Sequence, residues 1–486
     1  MRDVFIAAAA HHRAGRLLEA ERGYRRILAA DPQAPDALHM LGVLAYQTGR
    51  NAAAAELIGR AIALHGQNAS YHSNLGLALQ ALGDLESAAA SFRRAITLNP
   101  DAAAAHNNLG IVLTALGRWD EALACSGKAL ALQPDFADAH VNIGHVQRQQ
   151  QNREAAIAHY RTAIRLRPDF AEAHTSLAHA LLAGGDFAEG WAEYEWRWQT
   201  RSMLPGRRNF TQPQWRGQAG NGRTLLLHAE QGFGDTLQFC RFAAAAAARD
   251  FRVILEVQPP LVRLLRGISG VSVIGRGEPL PPFDLHAPLL SLPWALGLTR
   301  DGLTGPVPYL QPDPALAAPW RRRLAACTAG LAVGLVWAGS HRLAHAGIDR
   351  RRSIPPALLA PLFQLHATFV SLQKDGPAMP AGLPLIDWMP EMTDFADTAA
   401  LIANLDLVIT VDTAVAHLAG GLGKPVWMLN RFDSCWRWLT GRTDSPWYPG
   451  LRIYPQPAPA DWQTPIASIA GDLGKRISAG RPPAAL

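Results

Sequence analysis

At 486 residues the chain has room for about three domains, and with 49% hydrophobic residues it can bury sizeable cores. Its four scattered cysteines (Cys125, Cys240, Cys327 and Cys435) form no CxxC pair, which argues against a disulfide framework or a structural zinc and points to a reducing, cytoplasmic setting. The formal charge of +6 comes entirely from residues after 204 and favours an anionic ligand over nucleic acid, because the arginine clusters 321–323 and 350–352 are short and lack interleaved aromatics.

The chain opens on MRDVFIAAAAHHRAG, whose apolar run is too short for a signal peptide and reads as helix. No stretch approaches the roughly 20 apolar residues of a membrane span. From here a 34-residue period runs. Gly42, Gly76, Gly110 and Gly144 form one column, and Pro32, Pro100, Pro134 and Pro168 another. Ala20, Ala54, Ala88, Ala122 and Ala156 form a third, and Ala61, Ala95, Ala129 and Ala163 a fourth. Small residues at fixed places mark close helix approach, and proline ends a helix by withholding an N–H. This pattern resembles the tetratricopeptide repeat. It predicts an α superhelical array over residues 1–202, with units starting near 1, 35, 69, 103, 137 and 171 and the last one degenerate.

Within the array, Asn74, Asn108 and Asn142 recur at one position, with Ser176 next in line. A ladder of amides can hold an extended polypeptide through its backbone, or it can bridge neighbouring helices. The resemblance implies a partner in the groove. His72, His106, His140 and His174 stand a whole repeat apart, too far for one metal ion, and read as helix packing. Trp191, Tyr194, Trp196 and Trp198 close the array and are expected to dock the next domain; Met203–Gly222, rich in Pro and Gly, reads as a linker.

From Arg223 onward short apolar runs alternate with helical patterns. Strands are expected at Thr224–His228, Arg252–Val257, Val271–Ile274, Ala332–Trp337, Thr368–Gln373, Leu407–Val411 and Pro425–Leu429. Helices are expected at Thr236–Arg249, Pro259–Arg266, Ala357–Gln364, Thr398–Asn404 and Thr413–Leu422. That alternation indicates α/β with parallel sheets. The proline-rich stretch Pro306–Pro319 divides it into two Rossmann-like domains, 223–320 and 321–486, with ligands expected at the C-terminal ends of the strands.

Two motifs fall there. Strand Thr224–His228 runs into HAEQGFGDTLQF. Gly232 and Gly234 allow a tight turn and are candidate donor-binding positions, although the third glycine of a dinucleotide fingerprint is missing. Asp235 at the helix mouth either caps the helix or acts as a general base, and would repel a phosphate placed beside it. Strand Leu407–Val411 runs into DTAVAHLAGGLGKP, where Asp412 or Thr413 starts a helix and His417 lies on the face of Thr413. A helix start, a hydroxyl and an imidazole together suit a pyrophosphate.

The pair GFGDT and VDTAVAHLAG resembles the bacterial lipopolysaccharide heptosyltransferases and their glycosyltransferase relatives over about residues 223–480. The resemblance implies the GT-B arrangement of two Rossmann-like domains, a nucleotide-sugar donor bound mainly by the second, and no metal or other cofactor. It assigns Asp235 as catalytic base and Asp412, Thr413 and His417 to the donor phosphates. Ala414 stands where the family usually has Gly, and the family's Thr and Lys after the first strand of the second domain are replaced by WAGSHRLAHAGIDRRRS, where Ser340 and Arg351 (or a neighbour among Arg350–Arg352) would serve. Gln373 and Lys374, at another strand end, reach the ribose or phosphate or are plain surface. Arg437, between Trp436 and Trp438, lies in an aromatic-rich tail suited to sugar rings or to core packing. The expectation is a metal-independent, inverting glycosyltransferase whose array presents a polypeptide acceptor. A scaffold whose transferase half no longer catalyses, and a transferase acting on lipopolysaccharide or another glycan, stay open.

Overall fold

The computed structural model describes residues 1–328, 330–339 and 346–479, which divide into two compact units, Met1–Ala180 and Leu181–Leu486. No helix among the described residues is long and apolar enough to cross a membrane.

The first unit is a tetratricopeptide-like array of paired helices, beginning with Arg2–Arg13 against Leu17–Ala30 and ending with Ala137–Gln149 against Arg153–Leu166, followed by the start of Ala171–Gly184. The small-residue columns sit where helices touch. A Cβ on Gly42 would fall 2.6 Å from Ile58, one on Gly76 2.7 Å from Phe92 and one on Gly144 2.5 Å from Tyr160. The Ala20 and Ala61 columns are buried throughout. Another 34-residue column lies in the turns: Gly15, Gly49, Gly83 and Gly117 have φ between 72° and 82°, and Gln151 (φ 63°) takes the same left-handed turn without glycine's freedom. The histidine column anchors the turns, with Nε2 of His72, His106 and His174 bonded to the carbonyls of Gly66, Pro100 and Pro168 at 2.9–3.0 Å. His140 departs from it, its Nδ1 lying 3.1 Å from Nδ1 of His159.

Burial pushes His39 and His145 down to about 4. Their imidazoles stay neutral in the folded array, whereas the unfolded chain takes up protons near the ordinary histidine value of about 6.5. The unfolded state therefore binds more protons on acidification, and the stability these groups contribute above pH 6.5 is lost as pH falls toward 4. Urea midpoints of the full chain are expected to drop across that window, and to drop less in His39→Gln.

The second unit opens with the end of the degenerate repeat. The helix Phe187–Tyr194, inside the expected array of residues 1–202, packs on the α/β part. Trp191 donates its indole N–H to Leu298 O (3.2 Å) and meets Trp436 edge-on at 5.4 Å. Arg197, 2% exposed, donates to Glu230, Glu195 and Ser291. The stretch 203–222 is no free linker. Trp215 is fully buried, and its backbone N–H donates to His286 O (2.8 Å), adding to the sheet edge.

Two all-parallel sheets follow. The first has strands β1 (Thr224–His228), β2 (Arg252–Val257), β3 (Val271–Gly275) and β4 (Leu285–Pro288), in the order β3-β2-β1-β4. The second has β5 (Leu331–Val336), β6 (Ala367–Ser371), β7 (Leu385–Ile386), β8 (Leu407–Val411), β9 (Val426–Asn430) and β10 (Leu451–Pro455), in the order β10-β9-β8-β5-β6-β7. Strand order reverses between β1 and β4 in the first and between β5 and β8 in the second, the positions where open parallel sheets receive ligands. The proline-rich divider contains a helix, Pro314–Cys327. Pro314 occupies a first-turn position where its missing N–H costs nothing, and Asp313 accepts from Ala315 N at 2.8 Å. The helix Gln463–Ser478 covers the second sheet with Ile466, Ile469 and Leu473.

Candidate functional site

The loop leaving β1 turns at Gly232, which begins the helix Phe233–Phe239. Asp235 accepts the Gly232 backbone N–H at 2.9 Å, the capping role, and also pairs with Arg437 from the far end of the chain. Arg437 donates further to Gln238 Oε1 (3.0 Å) and Cys435 Sγ (3.2 Å), and lies over the Trp436 ring. Charge neighbours hold this guanidinium protonated although burial opposes it. Sequence reasoning passed over the pairing because nothing local links positions 235 and 437.

The loop leaving β8 carries Asp412 and Thr413, and the helix Ala414–Gly421 begins there with Thr413 as its first flanking residue. The Thr413 hydroxyl lies 3.2 Å from that of Thr410 and makes no capping hydrogen bond to this helix start. His417 is buried. Its Nδ1 meets the Tyr448 hydroxyl at 2.9 Å and its ring lies parallel to Trp438, centroids 5.2 Å apart. Burial first, then Arg437 and Arg241, pushes its pKa well below the usual histidine value. The ring is therefore neutral at pH 7 and supplies no positive charge to a phosphate.

The two motif helices pack against each other. A Cβ on Gly234 would stand 2.9 Å from His417 Cδ2 and 3.4 Å from Ala414 Cα. Gly234 is thus needed for close approach of helix to helix, a contact between the sheets that motif spacing alone did not reveal.

At the reversal point of the second sheet, Arg352 donates to Asp412 O (2.9 Å) and pairs with Asp349. Gly339 leaves no room for a Cβ beside that arginine. Arg351 lies farther along, with its Nε 3.2 Å from Asp433. Ser340 lies outside the described residues. Gln373 braces the loop after β5, accepting from Trp337 N (3.0 Å) and Ala338 N (2.9 Å). Lys374 donates to Met392 O (2.9 Å), tying down the 389–392 turn. Both side chains are engaged in loop bracing. A separate cavity of about 360 Å³ opens at the ends of β1–β3, lined by Trp198, Arg208, His228, Glu230, Glu256 and Arg276.

The array asparagines are not equivalent. Asn74 is half-buried, its Nδ2 2.8 Å from His39 Nε2, and Asn108 is half-buried. Asn142 is buried, donating to Ser126 (2.6 Å) and accepting from Thr114 (3.3 Å), and so departs from a groove-facing ladder. Ser176 likewise meets His145, so three of the four positions bridge to neighbouring elements.

Two kinds of family model match the chain. Tetratricopeptide repeat models match residues 11–76, 79–117 and 101–169. The model of glycosyltransferase family 9 (heptosyltransferase) matches residues 386–430, the segment from β7 to the end of β9. The chain is 29% identical over 323 residues to Protein FlbA of Caulobacter vibrioides, covering 60% of this chain and 53% of that protein, so it spans about half the length of that curated relative. Among solved structures it is similar to MamA (26% identity, 34% of this chain, 96% of that one, TM-score 0.31). It is also similar to YrrB, described as a tetratricopeptide repeat protein with an unusual peptide-binding site (26%, 35%, 88%, TM-score 0.32). The chain therefore carries tetratricopeptide repeats followed by an α/β part, one segment of which is similar to glycosyltransferase family 9.

Proposed function

We propose that this chain is a metal-independent, inverting glycosyltransferase of GT-B arrangement, which moves a sugar from a nucleotide-sugar donor to a hydroxyl of a polypeptide held by the repeat array. The observation that carries this reading is the direct packing of the two motif helices, Gly234 against His417, which brings the loops after β1 and β8 together. The family 9 segment spans the donor-side motif, and the resemblance supplies the absence of a metal.

In the reaction, the acceptor oxygen attacks the anomeric carbon as the bond from that carbon to the diphosphate oxygen breaks. The bonding electron pair leaves with the diphosphate, and the acceptor proton passes to Asp235. Thr413, the N–H groups opening the helix Ala414–Gly421 and Arg352 face the charge that develops on the leaving group. His417 acts through packing. Replacing Asp235 by Asn is expected to reduce transfer by at least about 10³-fold while donor affinity stays within about twofold, as for loss of a general base; full activity in that variant would remove Asp235 from the role.

One observation favours the second reading, a scaffold without catalysis: Asp235 is occupied by Arg437 as well as by the Gly232 N–H. Thermal melting of the full chain against UDP, GDP, ADP, CMP and their sugars separates the two. A ligand at 100 times its Kd adds about 2.7 kcal/mol to stability. A shift with one nucleotide supports the transferase, and none with any of them supports the scaffold.

A further inference from the structure

β8 and β9 pair with Val411 opposite Leu429, so residues 412 and 430 leave adjacent strands side by side. At the end of β9 and just beyond it the chain places Asn430, Arg431 and Asp433 in this corner. The Arg431 side chain is 10% exposed, yet its Nε and Nη1 are buried without a hydrogen bond among the described residues. Nη1 stands 3.5 Å from Asp433, an ionic contact without hydrogen-bond geometry. The same Asp433 oxygen, Oδ2, lies 3.2 Å from Nε of Arg351. Asn430 Oδ1 and Arg352 Nε are also buried without a hydrogen bond among the described residues.

A guanidinium offers five N–H donors and no acceptor, so burying it with donors unmade is costly unless an anion meets them. Here one carboxylate is shared between two arginines, and a third arginine holds the Asp412 carbonyl at the sheet's reversal point. A diphosphate has more oxygens and more charge than a carboxylate, and arginine binds phosphate as a two-pronged fork. We propose that Arg431 and Arg352 receive the diphosphate of a nucleoside diphosphate ligand, with Asp433 as the internal anion that the ligand displaces. This rests on the transferase reading above and adds to it a binding residue, Arg431, and a competing carboxylate, Asp433.

The two residues act in opposite directions, which a purely structural role does not produce. The experiment is titration of the full chain with inorganic pyrophosphate and with UDP, GDP and ADP at two salt concentrations, for wild type, Arg431→Met, Arg431→Lys and Asp433→Asn. Arg431→Met is expected to weaken the best ligand at least about tenfold, and Arg431→Lys to weaken it less. Asp433→Asn is expected to tighten it about threefold or more, because a competing anion is gone. Wild-type binding that Arg431→Met leaves within about twofold overturns this assignment and leaves the transferase reading standing. Absence of wild-type binding to all four probes overturns both. If Arg431→Met does not fold, Asp433→Asn decides: unchanged or weaker binding overturns the assignment, and tighter binding supports it.

Discussion

Replacing Arg197 by methionine is expected to lower the stability of the second unit by about 3–5 kcal/mol, the cost of leaving a buried charge without its partner. Arg197 and Glu230 are 2% and 1% exposed, and the guanidinium reaches both Glu230 oxygens at 3.0 and 3.1 Å. Burial already raises Glu230 to about 7 against the opposing pull of Arg197. Without the arginine the carboxyl rises further. A carboxyl raised above its unfolded value contributes stability that is present at low pH and lost as pH rises through the folded value. The variant should therefore be closer to wild type at pH 6 than at pH 8. Pairing it with Glu230→Gln is expected to restore part of the loss and to flatten this pH dependence. Urea midpoints at the two pH values measure this; a change below about 1 kcal/mol at pH 8 would mean the pair contributes little.

Gly234→Val is expected to separate the two motif helices and to lower transfer by about 10²-fold or more, since small misplacements of reacting groups carry penalties of that size. Even Gly234→Ala sets a Cβ 2.9 Å from His417 Cδ2 and should cost about 1–3 kcal/mol of stability through overpacking. His417→Ala opens the same space, so the two alanine substitutions should be coupled, the double variant being less destabilised than the sum of the singles. A coupling energy below about 0.5 kcal/mol, the range of independent sites, would show that the two residues do not share this contact.

The array was legible because each constraint recurs every 34 residues, as in the buried Ala20 and Gly42 columns. The left-handed turn at Gly15, Gly49, Gly83 and Gly117 was equally legible and passed unread, partly because Gln151 interrupts it. In the α/β part the apolar strands were found where burial is continuous, as in β1, β2 and β8. β7 is only two residues long and half-buried, β4 is interrupted by His286 and ends in Pro288, and β10 begins within a tail rich in proline, so none offered a clear apolar run. Pro314–Cys327 was hidden because proline reads as a breaker, whereas here Pro314 sits in the tolerant first turn and Pro319 is accommodated inside the helix. The site was half legible. Local motifs located Asp235, Asp412 and His417, but the partners these residues meet, Arg437, Arg352 and Tyr448, come from distant stretches of chain.

The boundary at Ala180 falls inside the helix Ala171–Gly184, and the final half-repeat belongs to the α/β unit through Trp191 and Arg197. This half-repeat is a socket that stays with the enzyme-like part when the array is edited. The residues that Glu230 and Trp436 contact in this half-repeat, Arg197, Trp191 and Tyr194, all lie after Ala180. A cut at residue 202, by contrast, would strip Arg197 from Glu230 and uncover the aromatic cluster, giving a fragment prone to aggregate.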